Sequence, residues 1–159
     1  LWPDLSKSIL FFLMFVGACA GSTAGGLKIS RILLLFKIMR RELKRLLHPR
    51  SVGTVHFEGK TVSDATLSSV GSYFILYAVV LVFSFLLLSF EPFGLETNLS
   101  AVVACFNNVG PGLGGVGPAA CYADYSAFSK MVLSFAMLFG RLEIYPILFA
   151  LSPSTWTRK

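Results

Sequence analysis

The sequence predicts an all-α integral membrane protein in which transmembrane helices are accompanied by a re-entrant loop. Of its 159 residues, 55% are hydrophobic and only 14% are charged, whereas soluble domains average about 25% charged residues. The apolar residues lie in long uncharged blocks, and about 20 apolar residues suffice for a helix to cross the hydrocarbon core. This composition excludes an intrinsically disordered chain and disfavours a soluble catalytic domain.

The first apolar block, 8–27, is interrupted by ten small residues, 17–26, which include four glycines. Because glycine costs about 1 kcal/mol relative to alanine inside a helix, we expect the helix to break there. Non-helical backbone at membrane depth persists only where protein or a water-filled cavity surrounds it. The break therefore indicates a polar pathway, and close helix packing by small residues is the alternative interpretation.

The second feature is a basic stretch, 28–50, which holds eight of the fourteen basic residues and is opposed only by Glu42. The positive-inside rule places this stretch and the connector 51–64 in the cytoplasm. Alternation of apolar and polar residues about Gly59 predicts a small two-stranded hairpin in the connector. The stretch is either solvated surface or a docking face for a soluble partner or anionic lipid. Its basic residues are concentrated in one flank of an apolar segment, and this distribution argues against nucleic-acid binding.

The remainder, 65–159, contains two predicted spans with a re-entrant segment between them. We expect an outer helix at 65–90, a pore helix and filter at 97–118 with its helical part near 99–106, and an inner helix at 128–151. The chain begins without methionine, and we expect it to be part of a longer protein. Five aromatic residues are expected to anchor at membrane interfaces: Trp2, Tyr73, Tyr122, Tyr125 and Trp156.

The glycine- and proline-rich segment 107–112 is the candidate selectivity filter. A filter replaces the water shell of an ion with backbone carbonyls. Gly110 and Gly112 allow the unusual backbone that this requires, and Pro111 removes an N–H donor that would repel a cation. No carboxylate lies in this segment, so carbonyl oxygens would bind a dehydrated monovalent cation. An ordinary extracellular turn is the alternative.

Arg141 is a charged residue near the middle of the last predicted span. Such a cation costs at least about 2.5 kcal/mol and normally faces a protein interior or a cavity. A pair with Glu143 is disfavoured, because residues i and i+2 lie on different sides of a helix. Arg141 and Gly21 are expected at similar depth, so the carbonyls of 17–26 are candidate acceptors. A phosphate-binding loop at 21–28 is disfavoured, since its Lys is displaced and no hydroxyl residue follows.

Four motifs cover nearly the whole chain. They are VGACAGSTAGGLK at 16–28, LKRLLHPR at 43–50, NVGPGLG at 108–114 and LSFAMLFGRLEI at 133–144. In content and order these motifs resemble the membrane subunit of Trk-type potassium uptake systems, within the Trk/Ktr/HKT cation transporter superfamily.

The resemblance implies a fold of four helix–pore loop–helix repeats around one pseudo-fourfold cation pore. Residues 1–50 would then be the second helix of the third repeat with its basic cytoplasmic extension, and 65–159 the whole fourth repeat. It implies that Asn108, Val109 and Gly110 bind potassium in the selectivity filter and that Arg141 contacts the gate. The implied gating loop contains Gly17, Gly21, Ser22, Thr23, Gly25 and Gly26.

The resemblance further implies a transporter rather than an enzyme, with potassium as substrate and no covalently bound cofactor. The implied partners are repeats one to three of the same chain, a second copy in a homodimer, a cytoplasmic nucleotide-binding regulatory subunit and the lipid bilayer. The implied location is the bacterial cytoplasmic (inner) membrane, multi-pass, with a cytoplasmic C-terminus. Two other functions stay open: a secondary transporter that binds a small solute at its broken helices, and a purely structural membrane subunit.

Overall fold

The computed structural model describes residues 3–17, 25–48, 55–57 and 59–142, together with Pro146 and Phe149. The described elements are the helices α1 (Asp4–Phe15), α2 (Ile29–Leu47), α3 (Asp64–Leu88), α4 (Leu95–Phe106) and α5 (Ala127–Leu142), the strands β1 (His56–Phe57) and β2 (Lys60–Thr61), and two 3-10 turns at Gly114–Val116 and Tyr122–Asp124. The strands form an antiparallel hairpin in which His56 pairs with Thr61.

Helix α3 is the one helix in the described ranges that is both long and apolar enough to cross a membrane. Its 25 residues correspond to about 37 Å, against about 30 Å for the hydrocarbon core. Ser63 begins the helix, and its hydroxyl oxygen accepts a hydrogen bond from the Thr66 N–H at 3.3 Å. Asp64 lies in the first turn, where its negative charge interacts favourably with the positive end of the helix dipole.

Helix α4 is short and buried. Every residue from Ser100 to Phe106 is buried, because the helix packs against both α3 and α5. Its 12 residues reach about 18 Å, which is too short to cross a bilayer. The sequence prediction of a helix starting near residue 99 was wrong, because α4 begins at Leu95. The negative charge of Glu96 lies in the first turn, where it interacts favourably with the positive end of the helix dipole.

The first predicted span is divided. Helix α1 ends at Phe15 and α2 begins at Ile29, and between them the Gly17 N–H donates to the Leu27 carbonyl at 2.9 Å. Residues 18–24 lie outside the described part of the chain. This backbone contact brings the two sides of the predicted break together.

Helix α2 is amphipathic and lies against the start of α3. Its buried Leu34 packs with Val55 and Leu67. Arg41 forms an ion pair with Asp64, with 2.7 Å between Nη1 and Oδ1. Val55 thus attaches the connector to both helices, whereas His56, Gly59 and Thr61 of the hairpin are exposed.

The predicted positions of some aromatic residues need revision. Tyr73 and Tyr125 are each only 4% exposed, because both rings pack in the protein core, so neither ring is available to anchor at a membrane interface. The Arg31 guanidinium lies 4.1 Å from the Tyr73 ring centroid. Trp2 and Trp156 lie outside the described residues, as does most of 143–151 in the predicted inner helix.

Candidate functional site

Helix α4 positions the predicted filter segment. The Asn107 N–H donates to the Val103 carbonyl at 3.0 Å, and the Val109 N–H donates to the Ala104 carbonyl at 2.9 Å. Asn108 leaves the helix with a φ of 55°, the left-handed conformation that commonly ends helices and that asparagine tolerates. The end of α4 thus fixes where the segment starts and how it turns.

Carbonyl oxygens of the predicted filter differ in their hydrogen bonding. Within the part of the chain that the structure describes, the carbonyls of Asn108 and Val109 accept no hydrogen bond, whereas the Gly110 carbonyl accepts one from the Tyr122 hydroxyl at 2.9 Å. Asn108 and Gly110 have positive φ and Val109 does not, so the backbone of this segment follows neither a regular helix nor a regular strand. The Gly110 carbonyl oxygen has a second lone pair, which this hydrogen bond leaves free. The segment can therefore present oxygens to a cation.

The chain beyond the filter returns alongside α4 and is held by side chains of that helix. The Leu113 N–H donates to the Ser100 hydroxyl at 2.9 Å, and the same hydroxyl lies 3.2 Å from the Leu113 carbonyl. The Gly115 N–H donates to the Thr97 hydroxyl at 3.2 Å. Ser100 and Thr97 thus supply acceptors for two backbone N–H groups of this segment, in addition to its own backbone hydrogen bonds.

Asn107 is a buried polar residue at the start of the predicted filter segment. The Tyr77 hydroxyl donates to Asn107 Oδ1 at 2.7 Å, and Asn107 Nδ2 donates to the Val103 carbonyl at 2.9 Å. The Tyr77 ring also meets Phe106 edge to face, with 4.8 Å between centroids. Sequence reasoning missed Tyr77, although a hydroxyl within an apolar span signals a need for a buried partner.

The described end of the predicted gating loop packs directly against the predicted filter segment. A Cβ on Gly25 would lie 2.6 Å from Asn108 Nδ2 and 2.9 Å from the Asn107 carbonyl oxygen. Gly26 has a φ of +81°, and a Cβ there would lie 2.6 Å from Asn107 Oδ1. Both glycines are therefore required for close approach, which the sequence alone did not reveal. The other predicted loop residues Gly21, Ser22 and Thr23 lie outside the described part of the chain.

Helix α5 approaches the same place through Gly140. A Cβ on Gly140 would overlap the Phe106 carbonyl oxygen, and Asn108 Nδ2 donates to the Met137 carbonyl at 3.2 Å. Arg141 follows in the last described turn and is exposed on this chain. Most residues of the loop 17–26 that Arg141 is expected to contact lie outside the described ranges.

A cavity of about 680 Å³ adjoins the filter segment. Helix α1 forms one wall through residues such as Leu10 and Met14, and the filter side contributes Val109 and Pro111. Lys7 also lines it, and its ammonium group pairs with Asp4 at 3.1 Å. The described α1 and the filter segment therefore border one common space.

Known proteins match this chain over nearly its whole length. The TrkH model, described as a cation transport protein, matches residues 1–157. The Trk system potassium uptake protein TrkH of Vibrio parahaemolyticus is 44% identical over 155 residues, which are 98% of this chain and 32% of that protein. The protein TrkG of Escherichia coli, described as a Trk system potassium uptake protein, is 38% identical over 155 residues with the same coverage.

A solved structure agrees with these matches. The crystal structure of the potassium transporter TrkH from Vibrio parahaemolyticus superposes with a TM-score of 0.86 at 42% identity, covering 98% of this chain and 33% of that one. The chain spans about a third of the length of the curated relatives it matches. The predicted fold class, an all-α membrane transporter, is confirmed, and the family is one of transporters rather than enzymes. The resemblance found in the four motifs is also confirmed, and the chain belongs to the TrkH family of cation transport proteins.

Proposed function

We propose that this chain supplies one quarter of the selectivity filter, and a gate below it, in a potassium uptake transporter. One observation carries the proposal: Asn108 and Val109 present carbonyl oxygens without hydrogen-bond donors in the described structure, on a turn that the end of α4 fixes. Such oxygens replace the water shell of an ion. The relatives named as potassium uptake proteins support potassium as that ion.

The ligands in this proposal are the backbone oxygens of Asn108, Val109 and Gly110. Gly110 contributes through the lone pair that its bond to Tyr122 leaves free. The segment 107–118 contains no acidic residue. Neutral carbonyl oxygens bind a monovalent cation less tightly than carboxylates do, so they release it more readily. Conduction needs binding weak enough for the ion to leave.

The gate in this proposal is the loop 17–26, held across the ion path by Arg141. Two contacts support it: Gly25 and Gly26 lie against Asn107 and Asn108, and Gly140 brings the start of the Arg141 turn to the same place. Removing the guanidinium in Arg141→Ala releases the loop and raises potassium flux. Deleting residues 24–26 raises it as well, and the two changes are non-additive because they break one interaction.

A control separates gating from filter damage. Arg141→Lys retains the charge and should retain most of the restriction, and neither Arg141 variant should change the potassium-to-sodium ratio. Additive effects of Arg141→Ala and the deletion would remove the gating proposal.

The proposed setting is the bacterial inner membrane, where the chain is multi-pass and its C-terminus is cytoplasmic. There it would assemble with repeats one to three of the same protein, with a second copy and with a cytoplasmic nucleotide-binding regulatory subunit. The basic helix α2 supports this orientation, because cytoplasmic loops carry an excess of lysine and arginine.

The filter proposal is tested by Gly110→Ser in the full-length transporter reconstituted in liposomes. Gly110 has a φ of +103°, and a Cβ there meets nothing within 4 Å. The substitution therefore strains the backbone without a steric clash. We expect the rubidium-to-sodium uptake ratio to fall more than the amount of folded protein.

Gly59→Ser is the matched control for this experiment. Gly59 also has a positive φ, +77°, with open space around its Cβ position, but it lies in the hairpin turn. We expect Gly59→Ser to leave the uptake ratio unchanged. An unchanged ratio in well-folded Gly110→Ser would refute the filter assignment, and solute-dependent uptake without cation selectivity would favour a secondary transporter.

A further inference from the structure

Three aromatic rings form a cluster in the segments that connect α3 to α4 and α4 to α5. The Phe93 and Tyr125 centroids are 4.6 Å apart, and those of Tyr122 and Tyr125 are 6.0 Å apart. The cluster packs on a buried core that includes Cys105 of α4. We call these three residues the aromatic brace.

The brace is fixed to the rest of the molecule at several points. The Tyr125 hydroxyl donates to Asn98 Oδ1 at 2.9 Å, and Asn98 Nδ2 donates to the Phe93 carbonyl at 3.2 Å. Next to it, the Ser126 N–H donates to Glu91 Oε1 at 3.1 Å. The chain that carries the brace is therefore tied both to α4 and to the end of α3.

One bond joins the brace to the filter: the Tyr122 hydroxyl donates to the Gly110 carbonyl at 2.9 Å. Gly110 has no side chain, and nothing lies within 4 Å of its Cβ position. Side-chain packing therefore does not restrain its backbone, and glycine itself allows a wide range of φ and ψ. The Tyr122 hydroxyl is the side-chain contact that fixes this peptide group in the described structure.

We propose that Tyr122 is a positioning residue for ion selectivity, whose hydroxyl holds the Gly110 carbonyl and thereby sets the geometry of this quarter of the filter. The inference rests on the proposed function as a cation filter. It adds that the selectivity of this quarter depends on a residue that does not touch the ion, in the segment between the filter and α5. Sequence reasoning had assigned Tyr122 to a membrane interface.

The test compares Tyr122→Phe with Tyr125→Phe in the full-length transporter reconstituted in liposomes. Each variant removes one hydroxyl from the same brace and keeps the ring, but only Tyr122→Phe breaks a bond to the filter. Rubidium and sodium uptake and thermal stability are measured for both. We expect Tyr122→Phe to lower the rubidium-to-sodium ratio about three- to tenfold, the change that one net hydrogen bond corresponds to. Tyr125→Phe should lower thermal stability and leave the ratio unchanged.

A second variant guards against misfolding of the first. O-methyltyrosine incorporated at position 122 keeps the ring and its oxygen but lacks the proton donor, and the same fall in the ratio is expected. An unchanged ratio in a folded variant of either kind would overturn the proposal, as would an equal fall in Tyr125→Phe. Absence of selective potassium uptake by the unaltered transporter would instead refute the proposed function.

Discussion

The two glycine-rich interruptions of this chain, at 17–26 and at 107–118, are stabilised in different ways. The second is bonded to its own surroundings along its length: Ser100 and Thr97 of α4 hold the returning chain, and Tyr122 holds Gly110. In the described flanks of the first, one backbone bond from Gly17 to the Leu27 carbonyl joins the two sides.

The first interruption instead relies on contact with the second. Gly25 and Gly26 lie so close to Asn107 and Asn108 that a Cβ at either position would be 2.6 Å from a side-chain atom of those asparagines. Glycine therefore serves two purposes in this chain. At Gly110 it permits a left-handed backbone in open space, whereas at Gly25 it permits two segments to touch.

The largest expected effect comes from adding a side-chain atom where helix α5 meets the end of α4. Gly140→Ala places a Cβ onto the Phe106 carbonyl, which is backbone and cannot move without shifting the end of α4. We expect a loss of about 3 kcal/mol in the free energy of unfolding and a loss of uptake. Thermal unfolding in detergent and uptake in liposomes measure this.

Gly71→Ala in α3 is the matched control for Gly140→Ala. Its Cβ would meet nothing within 4 Å, so replacing a helical glycine should raise stability slightly. Equal stability changes in the two variants would contradict the close contact between α5 and α4.

A smaller effect is expected from removing the side-chain support of the filter segment. Ser100→Ala leaves the half-buried Leu113 N–H without its side-chain acceptor, which costs about 1 kcal/mol. Ser134→Ala is the control, because the Ser134 hydroxyl makes only an exposed bond to the Lys130 carbonyl. If thermal unfolding of the full-length protein shows the same change for both, the filter segment does not depend on α4 in this way.

The smallest effect lies outside both interruptions and depends on pH. Hydrogen bonds from Ser126 and Ser129 lower the pKa of Glu91 below its usual value. A lowered folded-state pKa means that this carboxylate stabilises the fold above its unfolded pKa, and that the contribution is lost as the pH falls through the lowered folded value. We expect Glu91→Gln to be less stable than the unaltered protein at neutral pH and to lose less stability on acidification.

Asp124→Asn serves as the control for the pH experiment, since the Asp124 side chain is exposed and accepts no hydrogen bond within the described residues. Thermal stability of the full-length protein between neutral and acidic pH measures both variants. Parallel pH profiles for Glu91→Gln and the unaltered protein would show that Glu91 does not anchor the start of α5.

The sequence by itself predicted the elements whose cause is local. Uncharged apolar blocks predicted the membrane class, and the glycines of 17–26 and 107–118 predicted where helices stop. The alternation about Gly59 predicted a hairpin, and the structure has one there. The four motifs identified the family. Assignment of Asn108, Val109 and Gly110 to ion binding stays a prediction.

Only the tertiary structure decided which residues support the site. The sequence cannot distinguish two roles for Tyr77, Tyr122 and Tyr125. An amphipathic tyrosine ring suits both a membrane interface and a polar contact in a protein core. What distinguishes the two is a partner far along the chain: Tyr77 meets Asn107, and Tyr122 meets Gly110. In the sequence Gly140 is likewise indistinguishable from any other helical glycine, and only the structure shows that the Phe106 backbone lies against it. Local periodicity carries no information on such contacts, since they depend on how α3, α4 and α5 pack together.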